Sequence, residues 1–286
     1  MKTNDIAANN TSLLVALRAW CQRSDMPWLL DRTEAQWRNE TRLDCYRRNV
    51  QDLPEAISIM SALTWINLNF NPVERLPDAI GALDRLETLQ LSEAKLPRLP
   101  ESMGNLKRLS FLRIDDSGLL ALPECMGDLC ALTDLRLRGN RISTLPTSMV
   151  NLTQLQYLDL SGNPLTELPE FVGEWQHLQY LNLRGTGLTR LPAALGKLKT
   201  LRRLDCDADK IANVPSLAFF EQFDAQPLSL LQKAFAKFFS YLGHQLPAED
   251  VRLRRRGKIG GEDDGDYCMG DVVQYPVRAK RAWRIP

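Results

Sequence analysis

Proline recurs along this chain with a period of 23 residues, and this spacing constrains the fold more than any other feature. The prolines stand at positions 54, 77, 100, 123, 146, 169, 192 and 215. Leucine precedes each of them except the last, which follows Val214. A period of this length is typical of a stack of short units, each of which buries its apolar face against its neighbours.

Upstream of each proline runs the pattern L-x-x-L-x-L-x-x-N-x-L, which LQYLDLSGNPLTELP at 155–169 shows clearly. An L-x-L pair places two leucines on one side of a short strand and the residues between them on the other. The register predicts eight strands: Leu43–Cys45, Ile66–Leu68, Leu89–Leu91, Leu112–Ile114, Leu135–Leu137, Leu158–Leu160, Leu181–Leu183 and Leu204–Cys206. It predicts a second inner column of Val50, Val73, Leu96, Leu119, Ile142, Leu165, Leu188 and Ile211.

These units resemble the leucine-rich repeats of the class LPxxLGxLxxLxxLxLxxNxL. The resemblance implies an α/β repeat solenoid, the leucine-rich-repeat horseshoe, with parallel concave strands and short convex helices. Glycines at 81, 104, 127, 173 and 196 are expected to mark the turn after each convex helix.

The asparagine position of the repeat is imperfect in this chain. Its side chains are expected to bond turn backbone that is otherwise buried unpaired. The column reads Asn71, Ala94, Ser117, Asn140, Asn163, Thr186 and Asp209. Alanine cannot form these bonds, so we expect a local weakness or a bound water at Ala94.

The ends of the solenoid need caps, because a terminal repeat leaves one apolar face uncovered. We divide the chain into a polar segment at 1–10, a helical N-terminal cap at 11–42 and eight repeats at 43–215. The segment from Thr11 to Arg23 has apolar residues at helical spacing. A second helix is predicted to open with Asp31 and Glu34 as a D-x-x-E capping box.

The period stops after Pro215. Residues 216–246 are predicted to form a C-terminal capping helix, whose apolar residues include Leu231, Phe235 and Phe238. A partner-binding or membrane-surface helix is the alternative interpretation. Residues 247–286 carry a basic run beside an acidic one and are predicted to be a flexible tail, with a nuclear-localisation signal as the alternative.

Composition and spacing argue against several classes of function. The chain has 36 basic and 35 acidic residues and a net charge of +1, without the basic excess of a nucleic-acid-binding protein. No apolar run reaches the roughly 18 residues of a membrane span, and the start lacks a secretory signal. The six cysteines are therefore expected to be free thiols in the cytoplasm.

No cofactor, metal or catalytic residue is predicted. The only histidines, His177 and His244, lie in different elements, and Cys125 and Cys130 lack the spacing of a zinc pair. The stretch LDCDADKIANVP at 204–215 sets Cys206 among acids, but strand geometry divides the group between two faces. Cys206 falls in the leucine column, and a buried thiol has a raised pKa and is unreactive.

The residues that the leucines leave outside are the candidates for function. Four large aromatic residues share one outward column, with arginines beside them, and this composition is typical of protein interfaces. The predicted partner-binding residues on the concave face are Trp65, Asn67, Phe111, Arg113, Arg136, Arg138, Tyr157, Tyr180, Arg184, Arg203, Asp205 and Asp207. The alternative is a ladder of aromatics that stabilises the sheet without a ligand.

The leading hypothesis is a non-enzymatic module that binds a protein partner. The repeats, the helical cap and the polar start resemble bacterial type III effectors, which implies secretion into a host cytoplasm and a host protein as partner. The substrate-recognition part of an E3 ubiquitin ligase is one alternative, although the segment after Pro215 is too short for the ligase domain of that family. A ubiquitin ligase with an unfamiliar compact tail is a second, and Cys268 is then the only plausible catalytic thiol. A cytosolic scaffold for small GTPases or phosphatases is another, and the sequence leaves the oligomeric state open.

Overall fold

The computed structural model describes the backbone of residues 3–207 and 210–212, with side chains from Thr11 onward. The chain divides into two units, Met1–His244 and Gln245–Pro286. The helix predicted at 216–246 and the tail predicted at 247–286 lie outside the described residues and stay predictions.

A helical cap precedes the repeats. Its helices are α1 at Thr3–Arg23, α2 at Pro27–Leu30 and α3 at Glu34–Asn39. The first helix begins at Thr3 rather than at Thr11, because a helix held by its apolar face extends into flanking residues at little further entropic expense. The buried Trp20 joins the cap to the first repeat, since its indole N–H donates to the Asp52 carbonyl at 2.7 Å.

The capping box of the cap lies two residues later than the sequence pattern suggests. The Thr33 hydroxyl accepts from the Gln36 amide at 3.3 Å, and the Thr33 amide donates to Oε1 of Gln36 at 2.8 Å. The prediction of an Asp31–Glu34 box is therefore wrong. Asp31 ends α2, and Glu34 instead pairs with Arg38 one helical turn further on, at 2.7 Å.

Eight strands form one parallel sheet in chain order, as predicted. Residues 23 apart pair in register, for example Leu43 with Ile66. The strands are β1 Arg42–Asp44, β2 Trp65–Asn67, β3 Thr88–Gln90, β4 Phe111–Arg113, β5 Asp134–Arg136, β6 Tyr157–Asp159, β7 Tyr180–Asn182 and β8 Arg203–Asp205. Each begins one residue earlier than predicted, because pairing already includes the outward residue before the first leucine.

On the opposite side, seven 3₁₀-helices of five residues follow the Leu-Pro steps of the described repeats. They span Glu55–Ile59, Asp78–Ala82, Glu101–Asn105, Glu124–Asp128, Thr147–Asn151, Glu170–Glu174 and Ala193–Lys197. The glycines expected after these helices lie inside them. A Cβ at Gly127 would overlap the carbonyl oxygen of Ser148, and one at Gly173 would lie 2.8 Å from Cβ of Ala194. Glycine at this position therefore lets neighbouring helices stack closely.

The two predicted inner columns form the core. The first runs from Leu43 and Cys45 to Leu204, and the second from Val50 to Ile211, and the exposed fraction of every one of these side chains is at most 3%. Cys206, the last member of the first column, packs on this core and is half-buried.

Buried asparagines tie three of the turns to their neighbours. Oδ1 of Asn71 accepts from the amides of Arg48 and Val50, both at 2.9 Å. Its amide group donates to the carbonyls of Cys45 at 2.7 Å and Leu68 at 2.9 Å. One side chain thus satisfies four backbone groups that would otherwise be buried without partners. Two later repeats place asparagine in the same role, at Asn140 and Asn163.

The turn next to Ala94 is hydrogen-bonded differently, because alanine has no side-chain amide. The Val73 amide has no asparagine oxygen to meet and donates to the Asn71 carbonyl at 2.8 Å, which closes the turn within the backbone. The Ala94 amide donates to the Ser117 hydroxyl at 3.2 Å. The Val73 amide is therefore paired within its own turn, whereas the Ala94 amide is paired by a side chain of the next repeat. Asp209, the last member of the asparagine column, lies outside the described residues.

Replacing Ala94 with asparagine, which would restore the side-chain hydrogen bonds of the asparagine column, should stabilise the protein. Ala94→Asn should direct its amide group toward the Leu68 and Leu91 carbonyls, which are equivalent to the Cys45 and Leu68 carbonyls bound by Asn71. We expect a gain of about 0.5–1.5 kcal/mol in the free energy of unfolding, measured by urea titration. The reverse change, Asn140→Ala, should lose about 1–3 kcal/mol, since it leaves buried backbone groups unpaired. A lower stability of Ala94→Asn would show that the tighter turn excludes the side chain.

Candidate functional site

The side of the sheet opposite the leucine core, the strand face, carries the predicted partner-binding residues. The central leucine or isoleucine of each strand is buried, and in β2 to β7 the residues on either side of it are half-buried. Period-two alternation therefore brings two side chains of each of these strands to this face, and the side chain two residues after the strand points to the same side. Asn69, Ser92, Asp115 and Ser161 at that third position are buried.

Five side chains, one from each of the strands β4 to β8, form one continuous group, the central stack. The rings of Tyr157 and Tyr180 stack with centroids 4.4 Å apart and planes 10° from parallel. The Arg136 guanidinium lies 4.7 Å from the Tyr157 centroid and 5.2 Å from that of Phe111. Arg203 closes the other end, 5.3 Å from the Tyr180 centroid. Aromatic stacking and cation–π attraction hold these side chains in fixed positions.

Trp65 and Asn67 belong to the same face but not to the central stack. Thr88 stands between Trp65 and Phe111 in the column and interrupts the run of aromatic rings. Trp65 instead packs under the Arg42 guanidinium, 4.2 Å from its centroid. Asn67 donates to Oδ1 of Asp44 at 3.2 Å.

The arginines at the centre of the face are held by neighbouring acids. Arg136 makes two hydrogen bonds to Asp134, at 2.9 and 3.0 Å, and Arg113 bonds to Asp115 at 2.6 Å. Burial raises the pKa of the Asp134 carboxyl in spite of the opposing effect of Arg136. Sequence reasoning missed Asp134, although the D-x-R spacing on one strand places the two groups on the same side. Arg138 is exposed, and no carboxylate of the described residues lies within 4 Å of its guanidinium.

Asp205 differs from the expectation that it would meet a partner directly. Its side chain is only 3% exposed and lies beneath two arginines. It accepts from the Tyr180 hydroxyl at 3.0 Å and from Nε of Arg203 at 2.9 Å, while Nη2 of Arg184 lies 3.6 Å away. Asp205 therefore positions the end of the central stack and contributes its charge from below the surface.

Asp207 and Cys206 lie at the edge of this group. Asp207 accepts from the Lys210 ammonium at 2.8 Å and the Gly185 amide at 3.1 Å, and these bonds hold the pKa of its carboxyl below the usual value. Burial, followed by the charges of Asp207 and Asp205, raises the pKa of the Cys206 thiol to about 11. A protonated thiol is a poor nucleophile, so the sequence expectation of an unreactive Cys206 agrees with its surroundings. The described residues contain no cluster of acids, cysteines and histidines able to hold a metal ion.

Comparison with known proteins identifies the family. The profile of the leucine-rich repeat region matches residues 42–147 and 146–244, and the chain belongs to the leucine-rich repeat family. Members of this family with this fold are typically interaction modules without catalysis of their own, and the chain fits that class. A comparison with curated protein sequences finds no match.

Two solved structures illustrate the resemblance. An internalin from Listeria monocytogenes is 20% identical, with a TM-score of 0.54 over 61% of this chain and 49% of the internalin. The ectodomain of the Arabidopsis thaliana receptor kinase GASSHO1/SCHENGEN3 is 34% identical, with a TM-score of 0.51 over 55% of this chain and 20% of the ectodomain. This chain therefore matches about half of the internalin and a smaller part of the receptor. In the described part of the chain, no helix is both long and apolar enough to cross a bilayer.

The half-buried tyrosines Tyr157 and Tyr180 should make stability fall at high pH. Burial raises the pKa of both Tyr157 and Tyr180. The neighbouring Tyr157 and the hydrogen bond to Asp205 raise the pKa of Tyr180 further. The unfolded chain loses these protons near pH 10, before the folded chain does, so it binds fewer protons and stability decreases as pH rises through that range. Urea titrations at a series of pH values should show this decrease, and Tyr157→Phe with Tyr180→Phe should reduce it. An equal decrease in the double variant would contradict the assignment to these two phenols.

Proposed function

We propose that the strand face binds a protein partner around the central stack. The observation that carries the proposal is the continuous group of Phe111, Arg136, Tyr157, Tyr180 and Arg203, because tyrosine and arginine dominate the energetics of protein interfaces. Trp65, Asn67, Arg113, Arg138 and Arg184 surround it on the same face and are proposed as peripheral contacts. Asp205 and Asp207 are proposed to act on the partner through Tyr180, Arg203 and Arg184.

The fixed positions of these side chains favour binding. Arg136 is held by two bonds to Asp134, and Tyr180 by its bond to Asp205, so little rotational freedom remains to be lost when a partner arrives. The rings and guanidinium groups nevertheless remain partly accessible, with Arg203 58% exposed at its side chain. Side chains that are both ordered and accessible are suited to anchor a protein partner.

The charge pattern favours a protein over a phosphate backbone. Acids alternate with arginines on the face, as at Asp134–Arg136 and Arg113–Asp115, so no stretch of it is purely cationic. A phosphate backbone is bound by many uncompensated cations, whereas protein partners present mixed charge. The receptor ectodomain similar to this chain was solved in complex with Casparian strip integrity factor 2, and that complex supports a ligand-binding role for repeats of this type.

The source and setting of the partner are proposed from the sequence resemblance to type III effectors. The protein would then act in the cytoplasm of a host cell, and the partner would be a host protein. Fusion of residues 1–40 to a reporter tests this, since an effector signal directs secretion that depends on the type III apparatus. Secretion that is absent, or that continues without the apparatus, would contradict the effector role but not the binding role.

The double variant Tyr157→Ala with Tyr180→Ala should abolish capture of the partner while leaving the melting temperature nearly unchanged. The reason is that both rings lie on the solvent side of the sheet, outside the leucine core. Capture from candidate host lysates, followed by mass spectrometry, measures the first effect, and thermal denaturation measures the second.

A matched control replaces two polar residues elsewhere on the same face, Thr88→Ala with Gln90→Ala, and should retain capture. A large fall in melting temperature for the tyrosine variant would support the stabilising ladder instead. Equal capture by the tyrosine variant and the wild type would disprove the proposed role of the central stack.

A further inference from the structure

A second group of aromatic and arginine side chains lies where the helical cap meets the first two repeats. This group, the rim patch, consists of Trp28 on α2, Tyr46, Arg47 and Arg48 after β1, and Phe70 after β2. Trp28 is 46% exposed, Tyr46 41% and Phe70 43%, and they are three of the five large apolar side chains that are exposed in the described part of the chain. The fold of the core therefore does not account for them.

The members of the rim patch make aromatic and cation–π contacts with one another. The Tyr46 and Phe70 rings meet edge to face with centroids 5.4 Å apart. The Arg47 guanidinium lies 4.8 Å from the Phe70 centroid and 5.3 Å from that of Tyr46. Arg48 lies 4.7 Å from the Trp28 centroid, which ties the cap to the same surface. The patch thus consists of two contacting groups, Tyr46–Arg47–Phe70 and Trp28–Arg48, which the consecutive residues Arg47 and Arg48 connect, and it carries two cations.

The backbone under the patch is strained. Phe70 has φ of 59° and Arg47 has φ of 53°, in the left-handed region that β-carbon sterics disfavour. At the equivalent turn position, three later repeats have glycine: Gly139, Gly162 and Gly185. A phenyl ring that is exposed and attached to a strained backbone adds nothing evident to stability. Strain of this kind is characteristic of positions kept for function.

The charge of the patch indicates what it binds. No carboxylate of the described residues lies within 4 Å of the Arg47 or Arg48 guanidinium, unlike Arg113 and Arg136 on the strand face. The complementary ligand is therefore anionic and carries an apolar group. Two arginines are too few for nucleic acid or an anionic bilayer, which are bound by larger clusters of cations. An acidic segment of a protein matches both the number of charges and the aromatic surface.

We propose that the rim patch docks an acidic segment of a partner protein. Carboxylates of the segment pair with Arg47 and Arg48, and an apolar side chain of the segment packs against Phe70 and Tyr46. The patch lies four strands from Tyr157, or about 20 Å at the spacing of paired strands. It is a site separate from the central stack and does not depend on the function proposed for that stack.

The test measures binding of a defined probe, a fluorescein-labelled peptide in which glutamates alternate with phenylalanine and leucine, by fluorescence anisotropy. The wild-type full-length protein should bind it at least tenfold more tightly than the same peptide with glutamine in place of glutamate. Phe70→Gly should weaken binding at least fivefold while the melting temperature stays the same or rises, because glycine relieves the strain. No preference for the acidic peptide, or unchanged binding by Phe70→Gly, would overturn the proposal.

The chain supplies a matched control. Glu93 has φ of 59° at the same turn position of the next repeat, outside the rim patch. Glu93→Gly should raise the melting temperature to a similar extent without weakening binding of the acidic peptide. Tyr157→Ala with Tyr180→Ala should also leave this binding unchanged, which separates failure of the rim patch from failure of the central stack.

Binding of a different ligand at the rim patch would give different results in these measurements. Phe70-dependent capture on phosphatidylserine vesicles, without peptide binding, would replace the acidic segment with a membrane surface. Self-association in sedimentation that Phe70→Gly abolishes would assign the patch to a second copy of the chain. Either result would overturn the proposal as stated.

Discussion

The backbone pairing of residues that stand 23 positions apart is the constraint on which the rest of the structure depends. Each of the first seven repeats contributes only a three-residue strand and a five-residue 3₁₀-helix, and neither is long enough to be stable alone. In-register stacking turns each repeated residue into a continuous column. Leucines then form a core, asparagines form a ladder, and the outward positions of the strands form the strand face. A change at one repeat is therefore felt mainly by its two neighbours.

The features that repeat could be predicted, and those that occur once could not. The number and order of the strands and both inner columns followed from the period, because a residue at a repeated position meets the same surroundings each time. The capping box was misplaced since two candidate boxes overlap in the cap, and the sequence gives no means of knowing that Asp31 ends a preceding short helix.

The same distinction applies to the strand face. The alternation of strand residues was sufficient to place Tyr157, Tyr180 and Arg136 on it. The partners of these side chains could not be read from alternation, because they depend on rotamers and on diagonal neighbours. Asp205 occupies the same repeat position as Asn182, yet it is buried beneath Arg203 and Arg184, whereas Asn182 is half-buried. The rim patch was missed for a similar reason, since it joins side chains of the cap to two successive turns.

The strand face is held together by its own side chains to a degree that bears on how it recognises a ligand. Asp134 fixes Arg136, Asp205 fixes Tyr180 and Arg203, and the tyrosines fix each other. Each acid partly neutralises the arginine that it holds, so the face offers oriented hydrogen-bond donors more than net positive charge. Oriented donors select a ligand by its geometry, and such selection depends less on ionic strength than attraction by net charge does.

The left-handed turn position has a further consequence for how such a chain can diversify. Arg47, Phe70, Glu93 and Asp116 occupy it in the first four repeats, and glycine occupies it in the next three. The four side chains are exposed and lie outside the leucine core. Substitution there alters the surface of one repeat and leaves the stacking of all the others in place. Each turn can therefore be substituted without changing the packing of the repeats, and new binding preferences can arise in this protein one repeat at a time.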